Sequence, residues 1–388
     1  MERCWNIFNY KNNLEYEINR IITNHVNKIH VFDEYFFQNR DKDRYKVAKK
    51  CNRSIIFEFG KMIFNQRVYW DKLKKEYYYP VYEEFNIDKR AKIISWLKEE
   101  IISYIGRKKH YQDIQDILKY TYVSKVTISK IHKNSKVQEK LPEQKFKVKN
   151  NEFIYINADD CYVPVWNKNN KREMQKIRSI SYNTGKKQIG KNRNKLSNKI
   201  YTFMGDYKYS NKEDYLQANP TVDFTWNGLK KYFEFENAKL VVSGDGAGWI
   251  YNLAKYLGAY YVLDKYHAFY YLWTSYKPDK RKNKVNPKNL KNFLNAWKYF
   301  CNGQYDELIA FLIKTKVNKE TLRIFVNNKE GIINQPASWN IGCSAESDIQ
   351  HLVKSQTKGA KIYAYPTLIN MLMARANYLN SRNYINIA

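Results

Sequence analysis

The sequence predicts a mixed fold of the α+β or α/β class: an N-terminal helical region with a small β-hairpin, then a mixed-sheet domain interrupted by a helical insertion. Two observations support this prediction. From residue 150 onwards, short apolar runs typical of strands alternate with segments of helical period, which is the pattern of a sheet with crossover connections. Residues 266–335 then return to a purely helical pattern. We therefore divide the chain into residues 1–140, 150–264, 265–335 and 336–388.

The composition excludes several classes of protein. The 388 residues are 44% hydrophobic and 16% aromatic, which excludes a mainly disordered chain. No apolar run reaches the roughly 18 residues of a membrane-spanning helix, and the N-terminus lacks the basic-then-apolar layout of a secretory signal. The five cysteines form no Cys-x-x-Cys pair, which argues against a zinc finger or a disulfide framework. We expect a cytoplasmic protein that makes no contact with a membrane.

The N-terminal region is predicted to contain a hairpin between helices. Residues 1–50 have a polar, helical pattern. The β-like segment from Ser54 to Trp70 is broken at Gly60, which predicts two short strands joined by a turn. Helical period returns over residues 88–106.

Two further short helices are predicted at Tyr111–Leu118 and Ser124–Ile131, with Ser124 as the cap of the second. This pair fits a helix-turn-helix, since the second helix would offer polar side chains to a DNA groove: Lys125, Thr127, Ser129 and Lys130. An ordinary pair of antiparallel helices explains the same pattern, and the sequence leaves both interpretations open.

The region from residue 150 supplies the predicted sheet. A strand at 153–156 runs into Asp159-Asp160, and a second, buried strand at 238–243 ends at Asp245. The other predicted elements are strands at 177–182, 200–203 and 259–263, helices at 229–235 and 249–257, and a last long helix that opens after Gly342-Cys343-Ser344.

The charge balance points to nucleic acid. Lys and Arg number 68 against 38 Asp and Glu, a net charge of +30, and a polyanion would relieve the self-repulsion of so basic a chain. The Lys-rich composition of an AT-rich genome is the competing explanation. Two basic clusters, at 186–199 and 277–288, are the candidate contacts to DNA, and their central residues are Lys191, Arg193, Lys280 and Arg281.

Three acids stand at positions that suit catalysis. Asp159 and Asp245 follow strands, and Glu346 lies in the first turn of a late helix. Ligands in α/β folds bind at the carboxyl ends of strands, and converging carboxylates require cations. Oxygen ligands select Mg²⁺ or Mn²⁺, and two such ions promote in-line phosphoryl displacement. Each acid taken alone is also explained as a turn former or a helix-terminal charge.

Four strings resemble, in order, the signature blocks of DDE transposases, in the branch found in insertion sequences and integrative conjugative elements of low-GC bacteria. The resemblance spans roughly residues 50–378. The strings are Ile156-Asn157-Ala158-Asp159, Gly244-Asp245-Gly246-Ala247-Gly248-Trp249-Ile250, Leu263-Asp264-Lys265-Tyr266-His267 and Gly342-Cys343-Ser344-Ala345-Glu346. The second and fourth are the most specific.

The resemblance implies an RNase H-like core at 150–264, a helical insertion at 265–335, and C-terminal helices at 336–388 that complete the core. It implies Asp159, Asp245 and Glu346 as catalytic, metal-binding acids for two Mg²⁺ or Mn²⁺ ions. The implied function is that of a transposase, which cleaves and joins DNA strands for a mobile element. Its implied partners are double-stranded DNA, as element ends and target, and further copies of the chain, in the nucleoid.

Two features depart from this pattern or leave it open. Asp160 stands where the family usually has Gly, and because adjacent strand residues face opposite ways, only one of the two acids can face the metals. The motif favours Asp159. Asp264 and His267, three residues apart, suit either a metal-proximal role or a structural hydrogen bond, and we expect the latter. The alternative functions are a catalytically decayed DNA-binding protein and a metal-dependent nuclease.

Overall fold

The computed structural model describes residues 7–167, 169–191, 193–205, 220–276, 287–358 and 361–384. The chain forms two compact units, Met1–Val137 and Gln138–Ala388. Both combine helices with β-sheet, and the larger sheet mixes parallel and antiparallel strands, so the predicted α+β class is correct. None of the described helices combines the length and apolarity needed to cross a membrane.

The first unit is built on a long helix and a three-stranded antiparallel sheet. Helix α1 (Ile7–Asn39) precedes strands β1 (Tyr45–Phe57), β2 (Gly60–Asp71) and β3 (Glu76–Tyr78), paired in that order. The predicted hairpin at Gly60 is present but longer, and the helical expectation for residues 45–50 is wrong. Alternate residues of β2 are buried, in a core that joins Ile55, Met62 and Phe64 to Ile29 of α1.

Four shorter helices complete this unit: α2 (Pro80–Glu84), α3 (Ser95–Gly106), α4 (Tyr111–Ile117) and α5 (Lys125–Asn134). The helix expected from residue 88 begins only at Ser95, because Ile94 is extended and its N–H donates to Ile56 O at 3.1 Å. The side chain of Ser124 accepts from Thr127 N at 3.3 Å, which is the predicted cap of α5.

The second unit contains strands β4 to β13, and its main sheet has the order β12-β11-β5-β6-β9, with β13 also paired to β5. β5 pairs antiparallel with β6, and β6 antiparallel with β9, whereas β11 and β12 run parallel to β5. The bounds are β4 (Phe146–Lys147), β5 (Phe153–Trp166), β6 (Arg172–Asn183), β7 (Lys186–Gly190), β8 (Arg193–Leu196), β9 (Ile200–Met204), β10 (Phe233–Glu234), β11 (Lys239–Gly244), β12 (Tyr260–Leu263) and β13 (Tyr363–Ala364).

The helices of the second unit pack around this sheet. The core of the sheet unites Ile156, Val242, Trp249 and Ile250, and a second core lies among the helices that follow β12. The helices are α6 (Thr221–Tyr232), α7 (Gly248–Tyr256), α8 (Lys265–Tyr276), α9 (Pro287–Cys301), α10 (Tyr305–Lys314), α11 (Lys319–Asn327), α12 (Lys329–Ile333), α13 (Ala345–Ile349), α14 (Ser355–Thr357) and α15 (Tyr365–Tyr384).

Three expectations for this unit need correction. β5 continues to Trp166, so Asp159 lies inside the strand rather than past its end, because β6 pairs with it from Tyr155 to Trp166. The first basic cluster is not a plain loop, since it carries the antiparallel pair β7–β8. The last long helix is interrupted, because a π-helical segment at Gln350–Lys354 separates α13 from α14.

Candidate metal centre

Strand register brings three aspartates into one row. Gly244 of β11 lies opposite Ala158 of β5, and Leu263 of β12 lies opposite Gly244. The next residue along the chain is in each case an aspartate: Asp159 inside β5, Asp245 directly after β11 and Asp264 directly after β12. Because the three strands are parallel, the row lies where β11 and β12 present their carboxyl ends, the usual position of ligands in such sheets.

The backbone at Gly244 permits close strand approach. A Cβ there would lie 2.6 Å from Ala158 O and 2.4 Å from Ile250 Cδ1, so only glycine fits. Asp245 then leaves the strand in a turn, where its Oδ1 accepts from Ala247 N at 2.9 Å. This turn fixes Asp245 at the carboxyl end of β11.

Helices α8 and α13 add two further side chains. The ligand atoms of Asp159, His267 and Glu346 lie within 4.8 Å of one another. Asp245 is not a member of this close group, but its charge acts on Asp159. The structure therefore brings two of the three predicted acids into direct proximity, with the third in electrostatic range, and adds a histidine.

Helix α13 is held against the sheet by a buried polar network. Lys199 Nζ donates to Asp348 Oδ2 at 2.7 Å, to Ser344 Oγ at 2.6 Å and to Ser181 Oγ at 2.8 Å. Asp348 lies two residues after Glu346 and points into the protein, where both charged partners are buried. This ion pair fixes the turn from which Glu346 projects.

Burial and repulsion oppose ionisation of the acids. Asp159 is 5% exposed, and burial together with the charge of Asp245 raises its pKa to about 7. Burial also raises the pKa of Asp245. Carboxylates held this close and this dry are stabilised by a cation, so the donor set fits a divalent metal ion.

His267 is oriented by Asp264. His267 Nδ1 lies 2.8 Å from Asp264 Oδ2, so the expected structural hydrogen bond is present. Burial alone would lower the pKa of His267, but this hydrogen bond and the charges of Asp264, Asp245 and Asp159 raise it. Metal-binding histidines commonly use one ring nitrogen in this way and keep the other for the ion. We did not predict His267 as a metal ligand from the sequence. Its spacing of three residues from Asp264 was the signal available for that prediction.

Lys354 is a second residue that the sequence reasoning missed. Its Nζ lies 2.7 Å from Glu346 Oε1, and this hydrogen bond raises the pKa of Lys354. In a regular helix, residues eight apart are offset by about 80° around the axis and by about 12 Å along it. The π-helical segment Gln350–Lys354 lies between Glu346 and Lys354, and its extra residue reduces the angular offset so that the ammonium group reaches Glu346.

Asp160 faces away from this group. Its carboxylate pairs with Arg178 at 2.9 Å and with Lys176 at 3.7 Å. The Arg178 guanidinium, 1% exposed, also lies over the ring of Trp249 at 3.4 Å from its centroid. Asp160 therefore has a structural partner, and Asp159 is the acid that faces His267 and Glu346.

The predicted DNA-contacting residues have mixed positions. Lys125 and Lys130 are exposed on α5, whereas Thr127 and Ser129 are half-buried. Lys191 and Arg193 are exposed at the turn of the β7–β8 hairpin and at the start of β8. Lys280 and Arg281 lie outside the described residues.

Comparison with known proteins gives a family but no activity. No curated protein matches the chain. Among solved structures, one described as "Crystal structure of NurA" aligns at 10% identity with a TM-score of 0.12, over 71% of this chain and 64% of that one. The chain thus spans less than two thirds of that protein, and the score is too low to support an argument. An uncharacterised protein family, UPF0236, matches residues 6–335, a region that includes Asp159, Asp245 and His267 but ends before Glu346. Because that match covers most of the sequence, the chain belongs to the UPF0236 family.

Proposed function

We propose that the protein is a transposase that cleaves and joins DNA strands with the help of divalent metal ions. The observation that carries the proposal is the convergence of ligand atoms of Asp159, His267 and Glu346 within 4.8 Å, with Asp245 directly after the neighbouring strand β11. Carboxylates in this arrangement are suited to phosphodiester chemistry.

The sheet supports an RNase H-like assignment. Three antiparallel strands, β5, β6 and β9, precede two strands parallel to the first, which gives the order β9-β6-β5-β11-β12. Helices α8 to α12 follow β12 before α13 supplies Glu346. This is the layout that the resemblance to DDE transposases implies, with the acids on the first strand, the fourth strand and the late helix.

The donor set determines which metal ions suit the site. Asp159, Asp245, Glu346 and His267 would hold Mg²⁺ or Mn²⁺, two ions in the proposed mechanism. These ions would activate the attacking oxygen and stabilise the leaving one. Mg²⁺ binds oxygen ligands almost exclusively, whereas transition-metal ions accept imidazole, so His267 favours Mn²⁺.

Other residues of the chain orient the metal ligands and would neutralise phosphate charge. Asp264 holds His267 in one ring orientation through the 2.8 Å hydrogen bond. The ammonium group of Lys354, held at 2.7 Å by Glu346, would be available to pair with a phosphate oxygen if a metal ion bound the carboxylate of Glu346. Buried Lys199 and Asp348 hold the turn that carries Glu346.

Double-stranded DNA is the proposed substrate, as element ends and as target. The net charge of +30 and the exposed basic residues of α5 and of the β7–β8 hairpin support this proposal. DNA-bound oligomers and association with the nucleoid follow from the same mechanism, since two element ends must be processed together.

Incubation of the protein with DNA carrying the flanking sequences of its own gene tests the proposal. We expect Mn²⁺- or Mg²⁺-dependent cleavage at the ends, followed by joining to a second DNA. Cleavage without joining would indicate a nuclease, and metal-independent or absent cleavage would favour a DNA-binding protein that has lost its chemistry. Asp160→Asn is the matched control for the Asp245→Asn variant, because it alters a neighbouring acid that faces away from the site.

A further inference from the structure

A second cavity lies beside the metal centre, between the β7–β8 hairpin and the segment that leads into α13. It has a volume of about 170 Å³, and its polar lining includes Asn157, Asn183, Lys186, Asn194 and Ser344. The metal ligands do not line it. It is therefore distinct from the site described above.

Asn157 is a buried polar residue in the lining of this cavity. Its side chain is 2% exposed, and its Oδ1 accepts from Ser344 N at 3.0 Å, which fixes the orientation of the amide. Its Nδ2 has no hydrogen-bond partner among the described residues. A buried donor without a partner is destabilising, so a ligand that supplies an acceptor would be favoured here.

The other polar groups also suit an acceptor-rich, anionic ligand. Lys186 adds a positive charge, and Asn183 Oδ1 is already used by Gly185 N at 3.1 Å. No Asp or Glu is present among the described residues that line the cavity. The chemistry of the lining therefore matches a phosphate group.

The position of the cavity indicates which phosphate of a DNA strand would bind there. Asn157 and Asp159 are two residues apart on β5, so they face the same side, about 6.6 Å from each other along the strand. Neighbouring phosphates of a nucleic-acid strand are separated by a similar distance. We propose that this cavity binds the DNA backbone phosphate adjacent to the one at the metal centre, an inference that rests on the proposed function. The cavity thereby sets the register of the strand over the carboxylates.

Asn157→Asp is the direct test, because a carboxylate oxygen still accepts from Ser344 N while the Nδ2 donor is replaced by a negative charge. Asn170→Asp, in the exposed turn between β5 and β6, adds the same charge outside the cavity. Binding of a fluorescein-labelled double-stranded 20-mer is measured by anisotropy in Ca²⁺, so that cleavage is not needed. We expect about tenfold weaker binding for Asn157→Asp and less than twofold change for Asn170→Asp. Equal affinities of the two folded variants would overturn the proposal.

If Asn157→Asp does not fold, the variants Lys186→Gln and Lys187→Gln test the same proposal. The two lysines are adjacent on β7, and only Lys186 lines the cavity. The proposal expects Lys186→Gln to bind the 20-mer more weakly than Lys187→Gln, and equal affinities would contradict it.

Two parallel measurements separate the possible failures. Thermal protection by inorganic phosphate that depends on Asn157, with no effect of the variants on the 20-mer, would indicate a free-phosphate site and overturn the strand-phosphate assignment. Wild-type cleavage of DNA is followed in Mn²⁺. If the wild-type protein cleaves DNA but the variants bind the 20-mer with equal affinity, only the proposal about the cavity is refuted. If binding of the 20-mer depends on Asn157 but the wild-type protein does not cleave DNA, the proposal about the cavity is supported and the proposed function is refuted.

Discussion

Replacing Asp159 by Asn should stabilise the metal-free protein, although it removes the central acid of the site. The folded protein raises the pKa of Asp159 from 3.8 to about 7, through burial and the charge of Asp245. A carboxyl whose folded pKa is raised binds its proton more tightly in the folded state. The free energy of unfolding therefore falls as pH rises from about 4 to about 7, and stays lower above that.

The expected magnitude follows from the size of the shift. A difference of about 3 units at about 1.36 kcal/mol each corresponds to about 4 kcal/mol at pH 8, and to about 1–2 kcal/mol at pH 5. An amide removes the ionisation and with it this cost. We expect urea denaturation in EDTA to show Asp159→Asn as more stable than wild type, by an amount that grows by about 2 kcal/mol or more between pH 5 and pH 8.

Asp160→Asn provides the control of opposite sign. It removes the carboxylate charge that pairs with Arg178, which is 1% exposed, so we expect a loss of about 1–3 kcal/mol at both pH values. Mn²⁺ should stabilise wild type and Asp160→Asn but not Asp159→Asn. The reasoning is refuted if Asp159→Asn is no more stable than wild type at pH 8, or if its advantage does not change with pH.

Three further predictions concern chemistry and binding. Asp245→Asn should abolish Mn²⁺-dependent cleavage and joining but keep DNA affinity within a few-fold, and Ca²⁺ should suppress the wild-type reaction; cleavage at the wild-type rate would disprove the role of this acid. Asp264→Asn should weaken Mn²⁺ binding about 10–100-fold, measured by calorimetry, because it frees the ring of His267, and His267→Ala should weaken it at least as much; unchanged affinities would exclude His267 as a ligand. The logarithm of the DNA association constant should fall linearly with the logarithm of the salt concentration, and Lys130→Ala should reduce the magnitude of this slope by about one. An association constant that does not change with salt would argue against phosphate contacts.

Much of the fold was predictable because it depends on local patterns. Alternating burial marks the hairpin at Gly60, and apolar runs mark the strands that precede Asp245 and Asp264. The three acids were named from the same local signals and from motif resemblance. The bounds were less predictable: β5 extends past Asp159 only because β6 supplies twelve paired residues along it, and such pairing is not encoded in the local pattern.

The sequence by itself determined most of the element types, the basic charge and the candidate acids, since these depend on residue type and on period along the chain. The tertiary structure determined which side chains lie close to one another. Parallel register aligned Asp159 with Asp245, the contact with Arg178 turned Asp160 away, and the π-helical segment brought Lys354 to Glu346. Each of these contacts joins side chains whose spacing along the chain does not fix their separation, because strand pairing and helix packing set that distance only when the core forms.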